Sequence, residues 1–425
     1  MAKLFSIKTF GYSMMPILRN GDVVSVEAIP YSKIKVDDII CFRQKNRFVT
    51  HRVVYKAAEY IIAKGDNNPF CDGKIKQDKI IGKARLIRRG SDEFNVDNFY
   101  LLQSSVYFDE IKRIIRVLKK GGVNFVVLKG LPLYLYLTGE HPRRIYADCD
   151  ILIAGRHSNK ADKILVENGY QAQDSSNSFL HKKIRGKVSE VSYLKTVHNF
   201  PVIFDVHYDI NFLIPSLGKL NFLYPQSKIN LISSVFLQNK KEINVGGQSI
   251  PFLSPDNLFI FLILHLTHHA YCGYNRYELL SSLVKAGEIK ADLILSIVKR
   301  YELANFFYLP LLLLKESYPN KIYELMLDQI SMLIPGRVEG YSLRTKEKTV
   351  IFNDEARVAT GVRFKRFFIL SPRPFLVRIL SFIQPNVIYA ILRTLIIFMR
   401  FIVYRFFSPK ISNRSLQNRL FADTQ

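Results

Sequence analysis

The rhythm of hydrophobic and polar positions changes twice along the chain. In the first 90 residues, short apolar stretches at 22–27, 38–42, 48–55 and 60–63 are separated by Gly, Asp, Asn and Pro. That texture predicts a small all-β unit, with Arg88-Arg89-Gly90-Ser91-Asp92 as a polar linker closing it. After about residue 99 the spacing becomes helical: Phe108, Ile111, Ile115 and Leu118 share one face, and Lys112, Arg116 and Lys119 point towards the other. Gly121-Gly122 ends this helix, and 123–128 is an unbroken apolar run of the kind found in a strand buried on both faces. Helix, strand and helix then alternate to Gly169, predicting an α/β or α+β second unit. From the cap-like Ser254-Pro255-Asp256 onward the pattern is helical, and the last hundred residues are rich in Phe, Ile, Leu and Arg. The expected organisation is multidomain, with units at 1–90, 99–310 and 311–425.

Composition narrows the class. At 425 residues with 48% hydrophobic content, the chain can bury more than one core. Its 61 Lys+Arg against 36 Asp+Glu give a net charge of +25, which favours an anionic partner. The basic residues are dispersed, and neither a zinc-finger spacing nor an RNA-binding aromatic signature accompanies them. A membrane surface or a nucleotide is therefore expected ahead of specific nucleic acid. Cys41, Cys71, Cys149 and Cys272 lie far apart with no CxxC pair, so reduced thiols are expected, without a disulfide framework or structural zinc. The opening apolar run from Leu4 to Phe10 is too short for a signal peptide or an anchor.

Two stretches carry chemistry. In the first unit, Gly11-Tyr12-Ser13-Met14-Met15-Pro16 is followed by Gly21-Asp22-Val23-Val24, Thr50-His51-Arg52-Val53-Val54 and Lys64-Gly65-Asp66-Asn67-Asn68, with Asp72 after them. A serine hydroxyl needs a neighbouring base to become a nucleophile, and His51 is the first histidine of the chain, far ahead of His141. Asp66 and Asp72 are the candidates to orient its ring. These blocks, in this order over residues 5–90, resemble the signal peptidase I family, in the archaeal and eukaryotic form that uses histidine as base. The resemblance implies Ser13 as nucleophile, His51 as general base, Asp66 and Asp72 at the acidic positions with Asp72 orienting His51, a compact β-fold and no cofactor. Gly11 stands where many members carry a hydroxyl that lines the oxyanion hole.

In the second unit, Lys129-Gly130 sits between the strand 123–128 and a helix-like run 131–137, a turn suited to a phosphate. Asp148 and Asp150 alternate with Cys149 on an adjoining strand and so share a face. Asp205, His207 and Asp209 share the polar face of another strand, which supplies a third carboxylate. Three carboxylates can hold Mg²⁺ for phosphoryl-type transfer. Lys129-Gly130, Arg143/Arg144, Asp148 to Ile153 and Phe204 to His207 resemble an uncharacterised nucleotidyltransferase-like family over residues 100–310. The resemblance implies Asp148, Asp150 and Asp205 as metal ligands, Lys129 and Gly130 at the nucleotide, and Mg²⁺ with a nucleoside triphosphate as cofactors. His265, His268 and His269 follow at i, i+3 and i+4 inside an apolar run, which reads as packed helix histidines.

Residues 387–407 match a bilayer in length, but Arg393 and Arg400 interrupt them on one face. An in-plane amphipathic helix against an anionic membrane, or a docking helix buried against protein, are the two readings. Together these features predict a signal-peptidase-type serine endopeptidase acting on a peptide or precursor protein, fused to a nucleotidyltransferase-like domain and associated with the cytoplasmic face of the membrane. The alternative reading makes the nucleotidyltransferase the enzyme and the first unit a recognition module.

Overall fold

The computed structural model describes residues 4–146, 148–173, 189–198, 200–353, 360–392, 395, 396 and 399. The first unit is an eight-stranded antiparallel sheet of β1 (Leu4–Lys8), β2 (Val23–Glu27), β3 (Ile39–Gln44), β4 (Arg47–Lys56), β5 (Tyr60–Lys64), β6 (Lys74–Lys76), β7 (Ile80–Arg89) and β8 (Asp92–Asn95). Its order is β1-β2-β7-β3-β4-β5-β6, with β8 paired to β7. The expected linker at 88–92 is instead the tip of the β7–β8 hairpin: Arg89 pairs with Asp92, and Gly90 takes the positive φ of 62° that the tight turn requires. The peptide groups of these polar residues find ladder partners, which the chemistry of their side chains does not announce.

Helix α1 (Val96–Lys120) starts earlier than the apolar spacing indicated, because the Asn95 side chain accepts hydrogen bonds from the amides of Asp97 and Asn98 and caps it. Its buried stripe includes the expected Phe108, Ile111, Ile115 and Leu118. Its first turns reach back into the β-unit, where Val96 and Tyr100 share a core with Met14, Leu18 and Val24. The two units are therefore joined through a common hydrophobic layer.

A second, mixed sheet follows: β9 (Phe125–Gly130), β10 (Asp148–Ile153), β11 (Gln171–Gln173), β12 (Glu190–Val197), β13 (Phe200–His207), β14 (Lys240–Val245) and β15 (Gln248–Leu253), in the order β11-β12-β13-β10-β9-β15-β14. The β10–β13 and β9–β15 pairs are parallel and the other neighbours antiparallel. Phe125 to Leu128 are almost wholly buried, as their unbroken apolar run requires. Around the sheet lie α2 (Leu131–Thr138), α3 (Ser158–Glu167), α4 (Gln226–Gln238), α5 (Pro255–His268), α6 (Tyr274–Lys285), α7 (Ala291–Arg300) and α8 (Ala304–Ser317). The domain break expected at 310 falls inside α8, whose buried residues Phe306, Leu309 and Leu314 belong to the same core as β9, β10 and α5. The following helices, α9 (Lys321–Ser331), α10 (Gly336–Lys348) and α11 (Thr360–Leu370), extend that core through Met326, Val338 and Phe367.

Among the described residues, no single helix is long and apolar enough to cross a membrane. The segments Phe375–Ile383 and Pro385–Leu392 form a bent apolar pair at 57°. The interrupting Arg393 and Arg400 lie outside the described residues.

Candidate functional site

Two clusters of reactive side chains are built by these sheets. The first sits on the β-unit. His51 is buried on β4, and Ser13 lies in the turn between β1 and β2. Asp72 is held in the loop after β5 by the hydrogen bond from its amide to the Ala63 carbonyl, 2.8 Å. His51 Nδ1 is 2.6 Å from Asp72 Oδ2, and His51 Nε2 is 2.9 Å from Ser13 Oγ. An ionised carboxylate can only accept, so Nδ1–H donates to Asp72, leaving the Nε2 lone pair facing the serine hydroxyl. The 64–68 block closes over this relay: the Asn67 amide donates to the Ser13 carbonyl at 2.7 Å. Gly65 comes so close that a Cβ there would lie 2.7 Å from that carbonyl oxygen and 3.0 Å from His51 Nε2. A cavity of about 870 Å³ opens at the relay, rimmed by the exposed side chains of Phe10, Tyr12 and Phe48.

Asp66 does not join it. Its carboxylate takes both edges of the Arg52 guanidinium, at 2.7 and 2.5 Å, while Arg52 also donates to the carbonyls of Asp37 and Arg143 and to the Tyr100 hydroxyl. Arg52 neighbours His51 on β4 and so points to the opposite face, carrying a buried charge that must be matched. Asp66 is therefore the partner of Arg52. Asp66→Ala is expected to lower stability by about 3–5 kcal/mol, the usual cost of stranding one member of a buried ion pair, with urea unfolding as the measurement.

The second cluster lies on the mixed sheet. Cross-strand register puts Lys129, Asp150, Asp205 and Ser192 in one row across β9, β10, β13 and β12. Asp148 shares the face of Asp150 two residues away, and one oxygen from each of Asp148, Asp150 and Asp205 lies within 4.8 Å of the others. Lys129 Nζ contacts Asp148 Oδ2 at 3.0 Å and Asp150 Oδ2 at 2.5 Å. His207 Nε2 is 3.1 Å from Asp150 Oδ1, and its Nδ1 is 3.6 Å from Glu190. Burial works against ionisation of Asp150, but Lys129 and His207 outweigh it and hold its carboxyl at about 2. Burial likewise opposes the His207 cation, but Asp150 and Glu190 prevail and raise its pKa. Asp205 differs: burial and the adjacent Asp150 charge push it up to about 6, despite the hydroxyl of Ser192 donating at 2.5 Å. Close-set oxygens with a negative charge left unbalanced at Asp205 fit a hard divalent cation such as Mg²⁺.

The expected phosphate turn takes another form. Lys129 turns its ammonium onto the carboxylates, and Gly130 does not line the cleft. Gly130 is needed for close approach, since at φ 105° a Cβ would stand 2.7 Å from the Asp148 carbonyl oxygen. Asp209, expected on the same polar face, instead accepts hydrogen bonds from Ser189 and Gln226. The histidines read as packed core line the cleft: His265, His268 and His269 at the end of α5 face the carboxylates across a cavity of about 220 Å³ that Arg276 also borders. Glu190, opposite His207 in the β12–β13 register, is the other lining residue that the local pattern left unmarked.

Comparison with known proteins bears on this second cluster. A family profile described as "Uncharacterised nucleotidyltransferase" matches residues 100–319. Two solved structures share similarity at low identity. One is a lincosamide antibiotic adenylyltransferase with lincomycin bound (17% identity, 41% of this chain and 94% of that chain covered, TM-score 0.27). The other is an antigenic nucleotidyltransferase-like protein from Paracoccidioides brasiliensis (14% identity, 43% and 78% covered, TM-score 0.29). No curated protein matches the chain.

Proposed function

The chain belongs to the uncharacterised nucleotidyltransferase family through residues 100–319, and on that footing we propose that its carboxylate cleft transfers a nucleotidyl group to an acceptor hydroxyl. The observation that carries this reading is the convergence of Asp148, Asp150 and Asp205 within 4.8 Å. In the reaction the acceptor hydroxyl gives up its proton to solvent water as its oxygen bonds to the α-phosphorus, the bond to the bridging oxygen breaks, and pyrophosphate leaves. Asp148, Asp150 and Asp205 would hold Mg²⁺, whose positive charge would offset the negative charge on the departing phosphates. His207, set between Asp150 and Glu190, fixes the orientation of Asp150, and Ser192 does the same for Asp205. Transfer of label from α-labelled nucleoside triphosphates to an acceptor, in the presence of Mg²⁺, is the test; absence of transfer and of nucleotide binding would overturn the reading.

A second activity is favoured by the Ser13–His51–Asp72 relay, with its 2.9 and 2.6 Å hydrogen bonds. It supports serine endopeptidase chemistry of the signal-peptidase type on a peptide or precursor protein, without a cofactor. Location completes the proposal: the chain lies against an anionic membrane at its cytoplasmic face, where nucleotide is available. This is supported by the exposed apolar side chains of Phe375, Leu376, Ile383, Ile388 and Leu392 and by the net charge of +25. The protein is expected to float with phosphatidylglycerol vesicles and to lose that association in a Leu376→Glu, Ile383→Glu variant. Recovery of the wild type entirely in the unbound fraction would remove the membrane from this picture.

A further inference from the structure

The carboxylate cleft has two walls of opposite character. The sheet wall carries Asp148, Asp150, Asp205 and Glu190, and facing it the end of α5 carries His265, His268 and His269, with Arg276 from α6 beside them. The His268 ring is fixed by its Nδ1–H, which donates to the Leu213 carbonyl at 2.8 Å. The His265 and His269 rings pack at a tilt of 56°, with centroids 4.4 Å apart. His265 Nδ1 is buried and has no hydrogen-bond partner among the described residues. A buried polar nitrogen left without a partner costs about 1–3 kcal/mol, a cost that a ligand atom entering the cleft His265 lines would remove.

The charge around that nitrogen identifies the ligand. Burial, then the neighbouring His269, Lys129 and Arg276, hold the His265 imidazole far below its usual pKa. His269 is depressed in the same way, by burial and then by Arg276 and His268. The neutral imidazoles can donate N–H, and the Arg276 guanidinium beside them carries a positive charge, so this wall suits an anion. The opposite wall calls for a cation. A metal-bound polyphosphate satisfies both, its metal on the carboxylates and its phosphate oxygens on the helix.

Size separates the phosphates from the rest of the nucleotide. The cavity of about 220 Å³ is smaller than the roughly 300–1,000 Å³ of pockets that enclose a whole drug-sized ligand. It has room for phosphates but not for a whole nucleotide.

We infer that His265 and His269, together with Arg276, form the binding site for the polyphosphate tail of the nucleotide, the part that departs as pyrophosphate. This rests on the nucleotidyl-transfer reading and extends it to residues of the helical region. It also implies that the cleft takes the phosphates of different nucleotides alike.

The probe is inorganic pyrophosphate with Mg²⁺, titrated calorimetrically into the full chain, with MgATP and MgGTP titrated in parallel. Wild type is expected to bind all three. His265→Ala and His269→Ala are each expected to raise the Kd for Mg-pyrophosphate about tenfold, the scale of one lost hydrogen bond to a charged group. His265→Gln, which keeps an N–H donor, is expected to recover part of that loss, which a merely structural role for His265 would not produce. It also decides the matter if thermal melts show that His265→Ala fails to fold. Wild-type binding of Mg-pyrophosphate that both alanine variants retain within twofold would overturn the inference and leave nucleotidyl transfer standing. Binding of MgATP without Mg-pyrophosphate would overturn it as well. If wild type binds none of the three, nucleotidyl transfer fails first and this site with it.

Discussion

Replacing Asp205 by Asn is expected to abolish nucleotidyl transfer and, in the absence of metal, to make the protein more resistant to heat. The two effects have one cause. Asp205 lies buried beside Asp150, and its carboxyl is pushed up to about 6. An acid whose folded pKa exceeds its ordinary value of 3.8 is ionised at a cost. Above pH 6 the folded chain carries that cost in full. Between pH 6 and 3.8 the folded state takes up the proton first and the cost disappears. Below 3.8 both folded and unfolded chains are neutral at this site. The rise from 3.8 to about 6 corresponds to an upper bound of about 3 kcal/mol. The Asn variant should therefore gain about 1–3 kcal/mol at pH 7–8 and nothing near pH 3.5, with Ser192 still donating to its amide oxygen.

Activity runs the other way. Asn brings no charge to the cation, and transfer should fall by at least about 10²–10³-fold, the scale for loss of one preorganised electrostatic group. Adding Mg²⁺ should stabilise the wild type by mass action and the variant much less, closing or reversing the gap in melting temperature. A variant less stable than wild type without metal at pH 8 would show that Asp205 serves the fold and not the chemistry.

The legibility of this site in the sequence was uneven, for physical reasons. Asp148 and Asp150 were readable because strand period places alternate residues on one face, and Asp205 because its strand alternates cleanly. What joins them is the parallel β10–β13 pairing, which aligns Asp150 with Asp205 and is a long-range choice that no local pattern states. The place of the α5 histidines beside the cleft was hidden for a related reason. The helix is apolar nearly all round, so its i, i+3, i+4 histidines look like core. Only the packing of its last turn over the cleft makes them lining residues. On the β-unit both acidic candidates were visible, but the choice between them depended on Arg52. Its buried guanidinium claims Asp66 and leaves Asp72 to His51. Regular structure crosses the expected unit boundaries where polar residues conceal it, at the β7–β8 turn, and where a core helix continues, at α8.

Ser13→Ala is expected to eliminate peptide cleavage while leaving nucleotidyl transfer unchanged, since Ser13 lies in a turn of the first sheet's unit and the carboxylate cleft on the second sheet. On the proposed peptidase reading, the residues take the following roles. His51 Nε2, 2.9 Å away, would take the Ser13 proton as Oγ bonds to the substrate carbonyl carbon and pass it to the amine that leaves as the C–N bond breaks. Water, deprotonated by the same ring, would then release the acyl group from Ser13. Asp72, at 2.6 Å, holds the ring in the tautomer that leaves Nε2 basic and stabilises the imidazolium that forms. Ser13→Ala and His51→Ala should each reduce cleavage by about 10⁴–10⁶-fold, and the double variant should cost no more than either alone, because residues of one relay fail as a unit. Asp72→Asn should reduce the rate by about 10⁴-fold by stabilising the wrong tautomer. Asp66→Ala should act on stability first, since its carboxylate is spent on Arg52. A fluorophosphonate probe reads the same relay without knowledge of the substrate: wild type should be labelled at Ser13, His51→Ala should not, and Asp66→Ala should still be labelled below its melting temperature. Labelling that survives His51→Ala, or peptide cleavage that survives Ser13→Ala, would remove the peptidase and leave the β-unit as a recognition module for the transferase.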